Sequence, residues 1–165
     1  MKRIYLPLTK DIIKTLKPGQ EVLLNGPVLT GRDAAHKRMI EALRAGKRFP
    51  LSIKGETIYY TGPTPARKGQ VIGSCGPTTS ARMDPFTPVL LKHGLLGMIG
   101  KGERSKEVTR AIKKSEAVYF TTIGGAGAYL SEKVESSKVV AYEDLGAEAM
   151  LRLVLKDFPA IVAIR

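Results

Sequence analysis

The sequence has one cysteine, no tryptophan, one asparagine (Asn25), two glutamines (Gln20 and Gln70) and two histidines (His36 and His93). Each scarcity excludes something. With Cys75 alone, no internal disulfide can form, as in proteins of a reducing compartment. One thiol and two imidazoles cannot close a zinc site or hold an iron–sulfur cluster. No run of 18 apolar residues occurs, so no membrane-spanning helix is expected. The basic, apolar start Met1-Lys2-Arg3-Ile4-Tyr5-Leu6 is broken by Pro7 and makes a poor signal peptide, so a cytoplasmic location is expected. Few amides, one cysteine and sixteen lysines are a composition found in thermophile proteins.

What is present is positive charge and enough apolar residue for a core. The 165 residues are 43% hydrophobic and carry a net charge of +12, an amount suited to one domain over residues 1–165. Residues 1–115 hold 22 basic and 8 acidic side chains, and residues 116–165 hold 5 and 7. The excess in the first part attracts anions: a nucleic acid, a small polyanion or an acidic partner. Nucleic-acid binding further asks for basic residues interleaved with exposed aromatics. The ten aromatics instead fall largely in apolar runs such as Thr57-Ile58-Tyr59-Tyr60 and Ala117-Val118-Tyr119-Phe120, against that reading.

Short apolar stretches at Thr57–Tyr60, Val71–Ile72, Leu96–Ile99, Ala117–Phe120, Val139–Val140 and Ile161–Ile164 read as strands, and Val22–Leu24 with Val28–Leu29 as one strand interrupted by Asn25-Gly26-Pro27. Helical spacing appears over Asp33–Ala45, Pro85–His93, Ser105–Lys114, Ala126–Val134 and Glu148–Val154. The fold class is therefore a mixed α/β domain with some parallel pairing.

Four segments could carry chemistry. In Thr30-Gly31-Arg32-Asp33-Ala34-Ala35-His36 a strand turns into a helix, with Asp33 placed as N-cap and Arg32 beside the free helix N–H groups, where carboxylate or phosphate binds. His36 in the first turn reads as a packed histidine rather than a catalyst. In Gly73-Ser74-Cys75-Gly76-Pro77-Thr78-Thr79-Ser80-Ala81-Arg82-Met83-Asp84, one of three hydroxyls caps a helix starting near Ala81, and Thr78 and Arg82 converge about one turn apart. In Ile99-Gly100-Lys101-Gly102 a lysine stands in a glycine turn after a strand, without the rest of a nucleotide-binding loop. Thr121-Thr122-Ile123-Gly124-Gly125-Ala126-Gly127-Ala128 is a glycine-rich strand-to-helix turn that reads as tight packing or a wall of the site. From the residues alone, the result is an anion site made by Arg32, Thr78, Arg82 and Lys101, with the reaction left open.

Taken in order, Gly31-Arg32-Asp33-Ala34-Ala35-His36-Lys37-Arg38, Tyr60-Thr61-Gly62-Pro63, Gly76-Pro77-Thr78-Thr79-Ser80-Ala81-Arg82-Met83-Asp84 and Gly100-Lys101-Gly102 resemble the beta-type part of the iron-dependent class I fumarases and L-tartrate dehydratases. The resemblance implies a swivelling β/β/α three-layer fold with a mixed sheet, and hydro-lyase activity on a small dicarboxylate. It implies a 4Fe–4S cluster held by a partner alpha subunit in a hetero-oligomer, with none bound by this chain. It assigns Arg32, Arg82 and Lys101 to substrate carboxylates and Thr78 to the acid–base apparatus. Fumarate is favoured over tartrate by Asp33–Arg38 and Asp144–Met150. The alternative is a non-catalytic anion- or nucleic-acid-binding domain.

Overall fold

The longest strands are β2 (Glu21–Thr30) and β7 (Met150–Ile164), and their antiparallel pairing, from Glu21 opposite Ile161 to Leu29 opposite Arg152, organises the rest. The computed structural model describes residues 1–165. Beside β2 run β1 (Lys2–Tyr5) and β3 (Thr57–Tyr59), then β4 (Gly97–Gly100) and β5 (Val118–Thr121), each parallel to its neighbour. β7 pairs antiparallel with β2 along one side and, on the other, with β6 (Val134–Ala141) near its start and β5 near its end. Because β7 also pairs with β2, the row β2-β3-β4-β5-β7 closes on itself.

The closed sheet has apolar residues on both faces, so its central strands are apolar at successive positions. Tyr59, Ile99, Val118 and Phe120 belong to one buried cluster, with Leu24, Leu153 and Phe158. Their chain neighbours Ile58, Tyr60, Met98 and Tyr119 belong to a second. That second cluster lies beneath α2 (Asp33–Arg44), α3 (Thr87–Lys92) and α4 (Lys106–Lys114), through Met39, Leu90, Val108 and Ile112. Two short helices, α1 (Lys10–Lys14) and α5 (Gly127–Ser131), deliver Ile13 and Leu130 to the first. The outcome is a mixed α/β domain with a mixed sheet, consistent with a β/β/α three-layer arrangement.

Several local readings change in the structure. The interruption at Asn25-Gly26-Pro27 is a bulge between Leu24 and Gly26, and β2 runs through it. Gly26 has φ +112°, and a Cβ there would lie 2.7 Å from the Leu6 carbonyl oxygen, so glycine is required by both backbone and space. Opposite it, Asn25 and Asp157 join side chain to backbone at 3.0 Å. Glu148–Val154 is not a helix. Glu143–Glu148 forms a 3₁₀ segment, and Met150 onward belongs to β7, where pairing with β2 and β6 overrides the local helix preference of Ala149-Met150-Leu151-Arg152. Val71–Ile72 pairs with nothing and lies in the loop between β3 and the 3₁₀ turn Ser80–Met83, with Val71 exposed and Ile72 buried in the first cluster.

His36 is fully buried between Tyr60 and Phe86, with ring centroids 5.4 and 5.9 Å away. Its Nδ1 lies 2.8 Å from the Arg32 carbonyl oxygen and so carries the proton, leaving Nε2 without a partner. Burial lowers its pKa from 6.5 to about 4. The folded state therefore binds fewer protons than the unfolded state between those values. Stability should be full above pH 6.5 and fall as pH drops towards 4, by up to roughly 3 kcal/mol. Urea unfolding from pH 7 to 4.5 should show this slope, and His36→Asn should flatten it. Equal slopes in both proteins would mean another group titrates.

Candidate functional site

Parallel strands present their carboxyl ends at one edge, the usual place for ligands in α/β sheets. Three of the four chemistry-bearing segments emerge there, together with the Tyr60–Pro63 stretch. Arg32 follows β2, Gly62 follows β3, Lys101 follows β4 and Gly124-Gly125 follows β5. The Gly31 N–H donates to the Tyr59 carbonyl at 3.1 Å, Tyr60 N–H to Ile99 at 2.8 Å and Thr122 N–H to Gly100 at 2.9 Å, which fixes the heights of these ends relative to one another.

The Gly76–Asp84 segment threads between two of the ends. The Thr78 N–H donates to the Tyr60 carbonyl at 2.7 Å and Ser80 N–H to the Lys101 carbonyl at 2.9 Å, with Thr79 and Lys101 forming a parallel bridge. Gly100 makes this approach feasible, because a Cβ there would overlap the Ser80 hydroxyl. The Thr61 hydroxyl donates to Gly76 at 2.8 Å, and Cys75 N–H donates to Gly127 at 3.2 Å. Thr78 is 8% exposed.

Two arginines are placed by carboxylates on other elements. Arg82 makes a two-point pair with Asp33, through Nε to Oδ1 at 3.1 Å and Nη2 to Oδ2. Asp33 therefore does not act as the expected side-chain N-cap; its carboxylate is occupied by Arg82, and Arg32 holds the N-cap position. Helix α2 is capped instead by Glu148, whose Oε1 accepts from the Ala34 N–H at 3.0 Å and lies 3.3 Å from Arg32 Nε. The Arg32 guanidinium lies against Gly62, where a Cβ would come within 2.6 Å of it. Likewise no hydroxyl of Thr78, Thr79 or Ser80 caps the 3₁₀ turn, and Thr78 precedes that turn. Within the turn, the Arg82 N–H donates to the Thr79 carbonyl at 3.4 Å, while the Thr78 N–H donates to Tyr60.

Lys101 differs from the arginines. It has no carboxylate within 4.0 Å, and its side chain crosses the glycine-rich turn, with Cδ 3.3 Å from where a Cβ on Gly124 would stand. The fourth segment is thus a wall under Lys101. Clefts of about 350 Å³, lined in part by Thr122 and Ile123, and about 530 Å³, lined in part by Gly102 and Thr121, adjoin the edge. Neither includes Arg32, Thr78, Arg82 or Lys101. The cationic residues lie on an open face, with the Arg32 and Arg82 side chains 33% and 55% exposed, while Thr78 is buried.

The donor set does not fit an iron–sulfur cluster on this chain. Cys75 is the single thiol; it is fully buried, and burial pushes its pKa up to about 11, so it is a packed thiol and not a thiolate ligand. His36 is likewise a core residue. Sequence reasoning missed Glu148, which lies in a segment read as helix, and the pair of Asp84 with Arg104. Arg104 is one arginine among many charges, and nothing in the local pattern distinguishes it.

The whole chain, residues 1–165, matches the family described as fumarase C-terminus. It is 38% identical over 166 residues to "Fumarate hydratase class I, anaerobic" of Escherichia coli, covering 99% of this chain and 29% of the relative. It is 37% identical to "Fumarate hydratase 1, mitochondrial" of Leishmania major, again across 99% of this chain and 29% of the relative. Against "Putative L(+)-tartrate dehydratase subunit beta" of Methanocaldococcus jannaschii it is 35% identical over 169 residues, covering 99% of this chain and 87% of that one. The chain spans under a third of the length of the fumarate hydratases it matches, and nearly all of the dehydratase subunit. Family match, identity and coverage agree: the chain belongs to the fumarase C-terminus family.

Proposed function

We propose that this chain is the beta-type part of an iron–sulfur hydro-lyase that interconverts fumarate and malate, active together with a cluster-bearing alpha-type partner. The observation that carries this reading is the convergence of Arg32, Thr78, Arg82 and Lys101 on the carboxyl edge of the parallel strands, in a chain of this family. Their open placement supports a site whose far wall belongs to the partner, which also supplies the cluster and with it the Lewis acid for the leaving hydroxyl.

The chain's own residues hold carboxylates. Removing a weakly acidic proton beside a carboxylate builds negative charge there, and fixed cations in a closed, water-poor site stabilise it. Arg82, held in plane by Asp33, and Arg32, held by Glu148 and Gly62, offer guanidinium forks suited to planar carboxylates. Lys101, unpaired in the chain, adds the one uncompensated positive charge of the set. Thr78 brings a hydroxyl to the same edge. An ordinary threonine hydroxyl is a very weak base, so it serves the proton transfer only with a deprotonating partner. A second reading, the beta subunit of an L-tartrate dehydratase, is favoured by the length match to the Methanocaldococcus jannaschii subunit.

Co-expression with the cluster-bearing partner, followed by anaerobic kinetics on fumarate and on L-tartrate, tests both readings. Turnover of neither would overturn them. In the active pair, Arg82→Lys should lower kcat/KM by about 10- to 1000-fold, roughly 1.4–4 kcal/mol, because lysine keeps the charge but loses the fork. Lys101→Ala should lower it at least tenfold, about 1.4 kcal/mol, while the melt of the isolated chain changes as for a surface substitution, within about 0.5 kcal/mol. Gly62→Ala should raise KM by displacing the Arg32 guanidinium, with little change in the melt since the displaced group is a side-chain end. An unchanged KM would remove Arg32 from the site.

A further inference from the structure

Behind the open face lies a buried ion pair that touches none of the proposed substrate contacts. The Arg104 side chain is fully buried. Its Nε donates to Asp84 Oδ1 at 2.6 Å, and its Nη2 to the Thr87 hydroxyl at 2.8 Å and the Tyr60 hydroxyl at 3.3 Å. Its guanidinium stacks over the rings of Tyr60 and Tyr119, 5.3 and 4.8 Å from their centroids. The other Asp84 oxygen accepts from the Ser105 N–H at 2.8 Å.

Each of these partners leads to the site. Asp84 ends the 3₁₀ turn that carries Arg82. The Tyr60 carbonyl holds Thr78, and the Tyr119 hydroxyl reaches both the Ser80 hydroxyl at 2.8 Å and the Gly102 carbonyl at 2.7 Å. Ser80 in turn holds the Lys101 carbonyl. The Gly100–Ser105 turn is therefore pinned to the Thr78–Asp84 segment from behind by one guanidinium. A buried ion pair contributes little net stability compared with apolar packing, so its better-attested use is specifying geometry.

We propose that Arg104, paired with Asp84, is a positioning residue that sets the height of Lys101 relative to Thr78 and Arg82. The inference rests on the hydro-lyase reading for its kinetic consequence, but not for its structural one. Only a planar fork with several donors reaches Asp84, Thr87 and Tyr60 at once, so Arg104→Lys loosens the turn while keeping the charge.

The test is a double-mutant cycle in the partnered enzyme, joined to amide exchange in the chain alone. Arg104→Lys should cut kcat/KM by about tenfold or more, and by less than about threefold when added to Lys101→Ala, because the residue it positions is then gone. In the isolated chain it should speed exchange of the Ser80 amide at least about tenfold, with the Leu24 and Ile58 amides unchanged. If Arg104→Lys does not fold, the Arg104→Met, Asp84→Asn pair, which leaves no unpaired charge, is read in the same cycle. Full activity in a folded variant, the same loss with and without Lys101, or unchanged Ser80 exchange would each overturn the proposal. If Lys101→Ala alone leaves kinetics intact, the hydro-lyase reading of Lys101 fails and the exchange arm alone decides the positioning role.

Discussion

The pairing of β2 with β7 is the constraint on which the remaining structure depends. Without it, β2 to β5 would form an open parallel row with its outer face under helices and its inner face exposed. β7, running antiparallel, seals that row and buries Tyr59, Phe120, Leu24 and Phe158 on the inside. A 15-residue strand serves because it must pair with β2 along its length, with β6 near its start and with β5 near its end. The bulge at Asn25–Gly26 and the positive φ of Asp157 let both long strands bend at the same level, with Arg3 bonded to Asp157 across them.

Closure has a consequence for chemistry. Parallel strands held in register deliver their loops to one edge, and those loops carry the cations. The protein then controls the cations with its own acids. Arg82 is set by Asp33, Arg32 by Glu148 and Arg104 by Asp84, while Lys101 is left unpaired. The exposed pairs contribute little to stability; their effect is orientation. A chain with net charge +12 thus presents, at this edge, a set of directed groups rather than a diffuse basic surface. The aromatics agree: Tyr59, Tyr60, Tyr119 and Phe120 are buried, so the stacking platform that a single-stranded nucleic acid would use is not built from them.

No helix is long and apolar enough to cross a membrane. The apolar exposure that remains includes Met1, Ile123 and Ile161, which line one cleft beside the glycine-rich turn. Ile123 shares that turn with Gly124, on which Lys101 rests, so polar site and apolar rim are continuous through a single loop.

The amino-acid sequence by itself determined the class of fold and the segments that the fold carries to the carboxyl edge. Alternating apolar runs and helical spacing marked most strands and helices, because burial on both faces of a parallel strand leaves an unmistakable composition. Glycines after strands marked Arg32 and Lys101, although of these only Gly102 takes a positive φ, and Gly100 is required by the close approach of Ser80. What the sequence left undecided was everything set by pairing at long range. Met150–Arg152 prefers a helix locally and is a strand because it pairs with β6, and at Arg152 also with β2. Asp33 looks like a helix cap and is instead the seat of Arg82, 49 residues away. Glu148, Asp84 and Arg104 carry no local signature, since an ion pair is a property of two positions that only the folded chain brings together.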